Sequence, residues 1–236
     1  IEAQGTGTVS VDNSGDIYAE VFDVGTAFGI YVTGADVTVD NSGNIEAQGY
    51  SGTGIEAQSS GDLVVNNSGD IVGGSLTSVY DYYSGNTYLY GSLVGAGINA
   101  ISNGEGAAVS VTNGGDISSQ GYYGATGITA FAANGSASVD NSGSVDATAK
   151  YWATAVNASA QGDVTVDNSG SLYADGQKYA FGVYALSNAG DVMVHNEDGG
   201  EIGFYSYSGR GWGVFAYAGQ GDVHVSNDGA ISGYAY

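Results

Sequence analysis

Carboxylates are the commonest side chains in this sequence that could do chemistry. The chain of 236 residues carries 25 acidic and 3 basic residues, with a net charge of −22. Asp12, Asp40, Asp140 and Asp167 each precede an Asn at the same place in a recurring motif. Carboxylates stacked at strand spacing repel one another, and Ca²⁺, which prefers oxygen ligands, could relieve this repulsion. These four residues are candidate calcium ligands, and a solvated acidic surface that requires no cofactor is the alternative.

Aromatic and basic side chains form a second group. Of the 19 Tyr, 14 recur in one variable segment of the repeat, together with both Trp and all 3 basic residues. Such rings suit sugar stacking or a protein interface, or they pack on one another with the cations resting on ring faces. We call this set the aromatic edge and predict that it binds a partner. Its predicted binding residues are Tyr50, Tyr80, Tyr82, Tyr83, Tyr88, Tyr90, Tyr122, Tyr123, Lys150, Tyr151, Trp152, Lys178, Tyr179, Tyr205, Tyr207, Arg210 and Trp212, and the other two Tyr of the segment are Tyr234 and Tyr236.

Catalysis has few candidate residues. Cleavage of an acidic polysaccharide needs an acid–base pair or a Ca²⁺ cluster beside a basic residue, and Lys178, Arg210 and Asp175 are the only candidates. His195 and His224 differ in their place within the repeat, which argues against a paired metal site. Cys is absent, which excludes disulfides and thiol catalysis. We therefore expect that this chain is not an enzyme.

Two classes of partner are disfavoured by the charge and the apolar pattern. Binding to nucleic acid or to an anionic membrane surface needs clustered Lys and Arg. The longest apolar runs are a few residues, so we expect no membrane insertion by this segment.

A repeat of about 27 residues must position these side chains. Residues 37–45 read Val-Thr-Val-Asp-Asn-Ser-Gly-Asn-Ile, residues 164–172 read Val-Thr-Val-Asp-Asn-Ser-Gly-Ser-Leu, and variants occur throughout the chain. We expect one domain over 1–236, with a Tyr-rich insertion at about 74–96 in the third copy. The recurring Asn residues are Asn13, Asn41, Asn67, Asn113, Asn141, Asn168, Asn196 and Asn227.

Three short stretches of alternating apolar residues follow one another in each unit, and the third usually follows a Gly. They have the periodicity of strands with one buried face. The pattern predicts an all-β fold, a three-sided parallel β-solenoid of about eight coils. Helices are disfavoured because no stretch keeps a 3.6-residue period, and the unit is too short for a propeller blade.

The Asn-Ser-Gly segment predicts a corner. Asn and Gly tolerate the positive φ of tight turns, so we expect that conformation here. Identical Asn residues stacked coil on coil could form a ladder of side-chain amides.

The outward positions of the strands are irregular, which argues against ice binding.

The repeat Val-x-Val-x-Asn-Ser-Gly-x-Ile-x-Ala…Gly-Ile-x-Ala resembles passenger domains of bacterial autotransporters and filamentous-haemagglutinin-type adhesins. The resemblance covers all 236 residues. It implies a right-handed parallel β-helix, secreted or on the bacterial cell surface, that acts as an adhesin or stalk. A glycan or a surface protein is then the expected partner.

The ends of the sequence suggest an alternative. The chain begins in the third strand of a coil and ends in the second, in phase for head-to-tail stacking. We expect either a piece of a longer solenoid or a subunit of an extracellular filament whose partners are copies of itself, end to end.

Overall fold

A computed structural model describes residues 1–21, 24–81 and 86–236, with the backbone alone at 77–81 and 86–90. The described chain is all-β and is dominated by three parallel sheets of eight strands each. It contains no helix, and hence none long and apolar enough to cross a membrane. The predicted three-sided parallel β-solenoid of about eight coils is confirmed.

The first sheet is built from the Val-x-Val stretches. Alternation of apolar and polar residues leaves one face of each strand to be buried, as in Val164–Asn168. Its strands are β2 (Val9–Asn13), β5 (Val37–Asn41), β8 (Leu63–Asn67), β13 (Val109–Asn113), β16 (Ala137–Asn141), β19 (Val164–Asn168), β22 (Val192–Asn196) and β25 (Val223–Asn227).

The second sheet is built from the Ile-x-Ala stretches that follow each corner. Its strands are β3 (Ile17–Glu20), β6 (Ile45–Gln48), β9 (Ile71–Gly73), β14 (Ile117–Gly121), β17 (Ser144–Ala149), β20 (Ser171–Gly176), β23 (Glu201–Ser206) and β26 (Ala230–Ala235).

The third sheet contains the longest strands. They are β1 (Glu2–Gln4), β4 (Thr26–Gly34), β7 (Ser51–Ser59), β12 (Val94–Glu105), β15 (Gly124–Asn134), β18 (Trp152–Ala160), β21 (Tyr179–Ser187) and β24 (Arg210–Ala218).

The core lies between the three sheets, and each sheet contributes one layer of inward side chains to it. In one coil Val139, Val145 and Val156 meet inside, each at most 1% exposed. Small residues such as Ala147 and Ala158 fill the space beside them, because an enclosed triangle has no room for three large side chains at every level. The pattern of one large and one small inward residue in most strands of the second and third sheets follows from this geometry.

The glycine that opens the third stretch makes room for a branched side chain of the second sheet. A Cβ on Gly127 would lie 2.1 Å from Cγ1 of Val145, and one on Gly182 would lie 2.3 Å from Cγ2 of Ile202. Only one coil has Ala at this position, Ala155, and the second-sheet residue that it faces in the next coil, Leu172, is the only one that is not β-branched. Leucine carries no branch at Cβ, so the extra methyl of Ala155 fits.

The corner after the first sheet is held by the Asn residues. In seven of the eight, Nδ2 donates to Oδ1 of the Asn in the next coil at 2.7–2.9 Å. In most coils the same Nδ2 also donates to the carbonyl of the Gly two residues later, as Asn41 does to Gly43 at 2.8 Å. Seven of the eight side chains are buried, so the amides run as one enclosed ladder.

The predicted positive φ at this corner is wrong. No described residue other than Gly has a positive φ, and the four glycines that do are Gly74, Gly91, Gly106 and Gly199. None lies in an Asn-Ser-Gly motif, and Gly199 belongs to the one longer corner, which follows Asn196. Glycine is required for a different reason, which is close stacking. A Cβ on Gly43 would lie 2.1 Å from the carbonyl oxygen of Gly15 in the coil before.

The Tyr-rich insertion contains an antiparallel pair of strands, β10 (Leu76–Asp81) and β11 (Asn86–Gly91). These strands pair only with each other, outside the three large sheets. At the base of the pair, Ser92 donates its backbone N–H to the carbonyl of Ser75 at 2.8 Å. The insertion therefore leaves and rejoins the coil at neighbouring points.

Candidate functional site

The aromatic edge lies at the corner between the second and third sheets. Main-chain hydrogen bonds stack the corner residues of successive coils: Leu93 donates to Tyr50, Tyr123 to Leu93, and Lys178 to Tyr151, at 2.8–2.9 Å. The edge therefore runs along the solenoid axis, and its side chains recur at the strand spacing of about 4.8 Å.

One cluster on the edge gathers three tyrosines around a lysine. The rings of Tyr123 and Tyr151 stack with centroids 5.6 Å apart, and Tyr122 meets both at steep angles. Nζ of Lys150 donates to the hydroxyl of Tyr122 at 2.8 Å and lies 4.6 Å from the centre of that ring. This hydrogen bond raises the pKa of Lys150. The amine is thus already bound within the edge.

Trp152 lies flat over the main chain of the preceding coil. A Cβ on Gly124 would lie 2.0–2.4 Å from three atoms of the indole, so only glycine leaves space for the ring. The residue is nevertheless 41% exposed, and Tyr179, its neighbour in the next coil, is 39% exposed. Nζ of Lys178 lies 5.4 Å from the ring centre of Tyr179.

The predicted edge residues in the last two coils are dispersed. Tyr205 lies in the second sheet in register with Asp175, and the exposed Tyr207 contacts Tyr236 at 6.2 Å between ring centres. Arg210, in register with Tyr179, lies on the edge itself. Trp212 is two residues further along β24 and belongs to the outer face of the third sheet.

An aromatic cluster on that outer face was missed from the sequence. Phe181 and Trp212 stack with centroids 4.7 Å apart and an angle of 5°, and Tyr184 and Phe215 stack at 5.0 Å and 6°. The rings are half-buried and stacked along the solenoid axis, so they offer their edges to solvent. The signal was present as aromatic residues at outward positions of consecutive third strands.

The five tyrosines of the insertion cannot be placed on the edge. Tyr82 and Tyr83 lie outside the described residues. Tyr80, Tyr88 and Tyr90 are described by their backbone alone, in β10 and β11. Tyr50, just before β7, is 48% exposed.

The four candidate calcium ligands form two neighbouring pairs beside the Asn ladder. Asp12 is in register with Asp40, and Asp140 with Asp167. The pKa of Asp167 is raised by partial burial and by the Asp140 carboxylate. His195 acts in the opposite direction, and the pKa remains raised overall. Among the residues with described side chains, no three His, Cys, Asp or Glu are grouped as metal ligands. Each pair could supply two carboxylates to a cation, and calcium here stays a prediction.

Other acidic residues bind main-chain amides of the next coil. Oδ1 of Asp163 accepts a hydrogen bond from the N–H of Asp191 at 2.9 Å, and Asp191 accepts one from Asp222 at 2.8 Å. Asp36 and Asp62 do the same at 3.1 and 2.9 Å. These carboxylates join coil to coil, a role that the sequence pattern alone did not assign to them.

The two histidines do not form a pair. Nε2 of His195 lies 3.2 Å from Oδ2 of Asp228, and Nδ1 lies 4.0 Å from Oδ1 of Asp167. His224 lies in the next coil in register with Met193, the residue two before His195.

The residues considered for catalysis do not form an acid–base pair among the described side chains. No ion pair within 4.0 Å joins Lys178 or Arg210 to a carboxylate among the described side chains. Burial and the nearby Asp146 raise the pKa of Asp175, which lies on the outer face of the second sheet. This part of the chain therefore presents an exposed aromatic strip and two cations, Lys178 and Arg210, that form no ion pair with a described carboxylate.

No protein-family model matches the chain, and searches of curated proteins and of solved structures found no match either.

Proposed function

We propose that this chain is a non-enzymatic structural or interaction protein, an adhesin-type β-helix passenger or stalk that contacts partners through its aromatic edge. In this proposal the protein is secreted or lies on the bacterial cell surface, as in autotransporter passengers and filamentous-haemagglutinin-type adhesins. The repeat motif supports the family, and the solenoid provides a rigid scaffold for the edge.

The observation that carries the proposal is the exposure of adjacent aromatic side chains in consecutive coils. Tyr123, Tyr151, Trp152 and Tyr179 are between 39% and 48% exposed. Large apolar groups that face solvent together are typical of interaction surfaces, and Tyr and Trp are common in them because they combine an apolar ring with a polar group.

The test compares adhesion by three forms of the chain. Wild-type protein, a Tyr151→Ser/Trp152→Ser variant and a Tyr18→Ser/Tyr217→Ser control are applied to a glycan array and to fixed cells. The control removes rings that are 61% and 53% exposed but lie outside the edge. We expect wild type and control to bind alike and the edge variant to lose binding. Equal binding by all three forms, or none by wild type on either surface, would overturn the proposal.

Negative-stain electron microscopy of the purified chain separates this function from self-assembly. Discrete short rods agree with an adhesin or stalk. Long fibres of uniform width would instead make end-to-end assembly the function.

A further inference from the structure

The cations of the chain point to a more specific ligand. The protein has 3 basic residues and 25 acidic ones, so each cation would be expected to have a carboxylate partner. Among the described side chains, however, no Lys or Arg lies within 4.0 Å of a carboxylate, and the only ion pairs involve His195. The basic residues thus lie together on the aromatic edge without an internal counter-ion.

Two of the three cations are free to bind an external anion. Lys150 is held by Tyr122, as described above. Lys178 and Arg210 are exposed and lie in successive coils, since the backbone N–H of Arg210 donates to the carbonyl of Lys178 at 3.0 Å. The main-chain positions that carry the two cations therefore follow one another along the axis at the strand spacing of about 4.8 Å.

The rings beside these cations are arranged to accept flat apolar faces. Gly124 supports one face of the Trp152 indole, and the residue is 41% exposed. Tyr151 precedes it and is 40% exposed. A sugar ring has one apolar C–H face and a polar rim, so it can stack on such a ring while its acidic substituent reaches a cation.

A peptide partner fits this edge less well. A peptide that binds to a sheet gains affinity by adding a strand to an unpaired edge. In the third sheet β18 is paired on both sides, with β15 and β21, so its backbone groups are already used. The acidic row of Asp140 and Asp167 lies beside the Asn ladder at a different corner, and charges at such distances are screened beyond about 8 Å at physiological salt. Asp146 and Asp175 lie nearer, on the outer face of the second sheet, but neither forms an ion pair with Lys178 or Arg210.

We propose that the aromatic edge binds an acidic polysaccharide, with sugar rings stacked on Tyr151 and Trp152 and acidic groups bound by Lys178 and Arg210. This inference rests on the proposed function and names the class of ligand for the same surface. An extended chain lying along the axis would meet the rings first and then the two cations, one coil after another.

The experiment measures binding to matched pairs of glycans. Oligomers of polygalacturonate, polysialate and chondroitin sulfate are immobilised beside the same chains after carboxyl reduction, and chondroitin sulfate is desulfated as well so that its counterpart is neutral. We expect binding to at least one acidic chain that falls about tenfold for its neutral counterpart. The binding should also weaken as salt is raised, because exposed charges are screened.

Three variants identify the groups responsible. Lys178→Gln/Arg210→Gln should lose about tenfold in affinity for the acidic chain and show no change for the neutral one. Trp152→Ala should weaken both, and Tyr18→Ala, a control 61% exposed and outside the edge, should weaken neither. Circular dichroism checks that each variant is folded.

The possible failures are distinct. Equal binding to acidic and neutral chains, lost in Trp152→Ala, would overturn the acidic ligand and leave the edge as a binding surface. Acidic binding undiminished in Trp152→Ala would be non-specific charge attraction and would overturn the inference. Binding to fixed cells that survives complete removal of their glycans, yet needs Trp152, would assign a protein partner instead. No binding that depends on the edge, to glycans or cells, would overturn both proposals.

Discussion

The side-chain nitrogen of Asn67 lies 2.8 Å from Oδ1 of Asn113, although 46 residues separate them. Elsewhere the ladder joins residues only 26 to 31 positions apart, at the same distances. The insertion between these two residues therefore leaves the stacking of the coils unchanged. The ladder depends on which residues occupy the corner and does not depend on the number of residues between them.

Asn141→Ala should destabilise the chain by roughly 2–4 kcal/mol. Its side chain donates to Asn168 and Gly143 and accepts from Asn113, so the substitution leaves buried groups on both neighbours without a partner. Urea unfolding followed by circular dichroism measures the change. Asn227→Ala, at an exposed rung, is the matched control and should cost less than half as much. Equal losses would show that burial of the ladder is unimportant.

Leu172→Ile should destabilise the chain by about 1–3 kcal/mol, because the new branch at Cβ would press on the methyl of Ala155. In the double variant with Ala155→Gly, which recreates the pairing seen in the other coils, much of that loss should be recovered. A double-mutant cycle from chemical denaturation measures the coupling. Strictly additive effects would contradict the proposed fit between the two positions.

Acidification should stabilise the fold through Asp175. Its pKa is raised by burial and by Asp146, so the folded chain binds this proton more tightly than the unfolded chain. The favourable contribution is fully present below the ordinary pKa of 3.8. It is lost as the pH rises from there through the raised pKa of the folded chain. Asp175→Asn should be more stable than wild type at neutral pH and should flatten this part of the profile.

Unfolding midpoints at a series of pH values measure this dependence. Asp198→Asn, which removes an exposed carboxylate from a turn, controls for the change in net charge. A profile that the two variants alter equally would assign the effect to overall charge.

Replacing residues 76–91 by Asn-Gly should leave the solenoid folded, with a loss of less than about 1 kcal/mol. Ser75 and Ser92 already meet at the base of the hairpin, where the N–H of Ser75 also donates to Oγ of Ser92 at 3.1 Å. A two-residue turn can therefore join them without moving the coil. Thermal unfolding followed by circular dichroism is the measurement, and a less cooperative transition would show that the hairpin supports its neighbours.

The solenoid could be predicted from the sequence because its determinants are periodic. Repeated inward pairs such as Val164 and Val166 specify strands, and the constant place of Asn168 and its equivalents specifies a row. A short alternation of apolar residues would be ambiguous once, but eight aligned copies leave few other folds.

Details that depend on neighbouring coils could not be predicted in the same way. The role of Gly43 was assigned to backbone conformation, whereas the structure requires it for a close contact with Gly15. The hydrogen bond from the Asp191 amide to Asp163 depends on which oxygen faces which N–H. The stack of Phe181 on Trp212 depends on outward aromatic residues in the consecutive strands β21 and β24, a weaker signal in the sequence than the frequency of Tyr at the corner.

Each rung of the amide ladder advances the molecule by one strand spacing, whether the coil contains few or many residues. Eight rungs make seven steps of about 4.8 Å, or about 34 Å in all. The asparagines thus recur at equal distances along the axis of the molecule. Segments inserted at the corners change which side chains are displayed at a given rung, and only another complete repeat between two sites increases the distance between them.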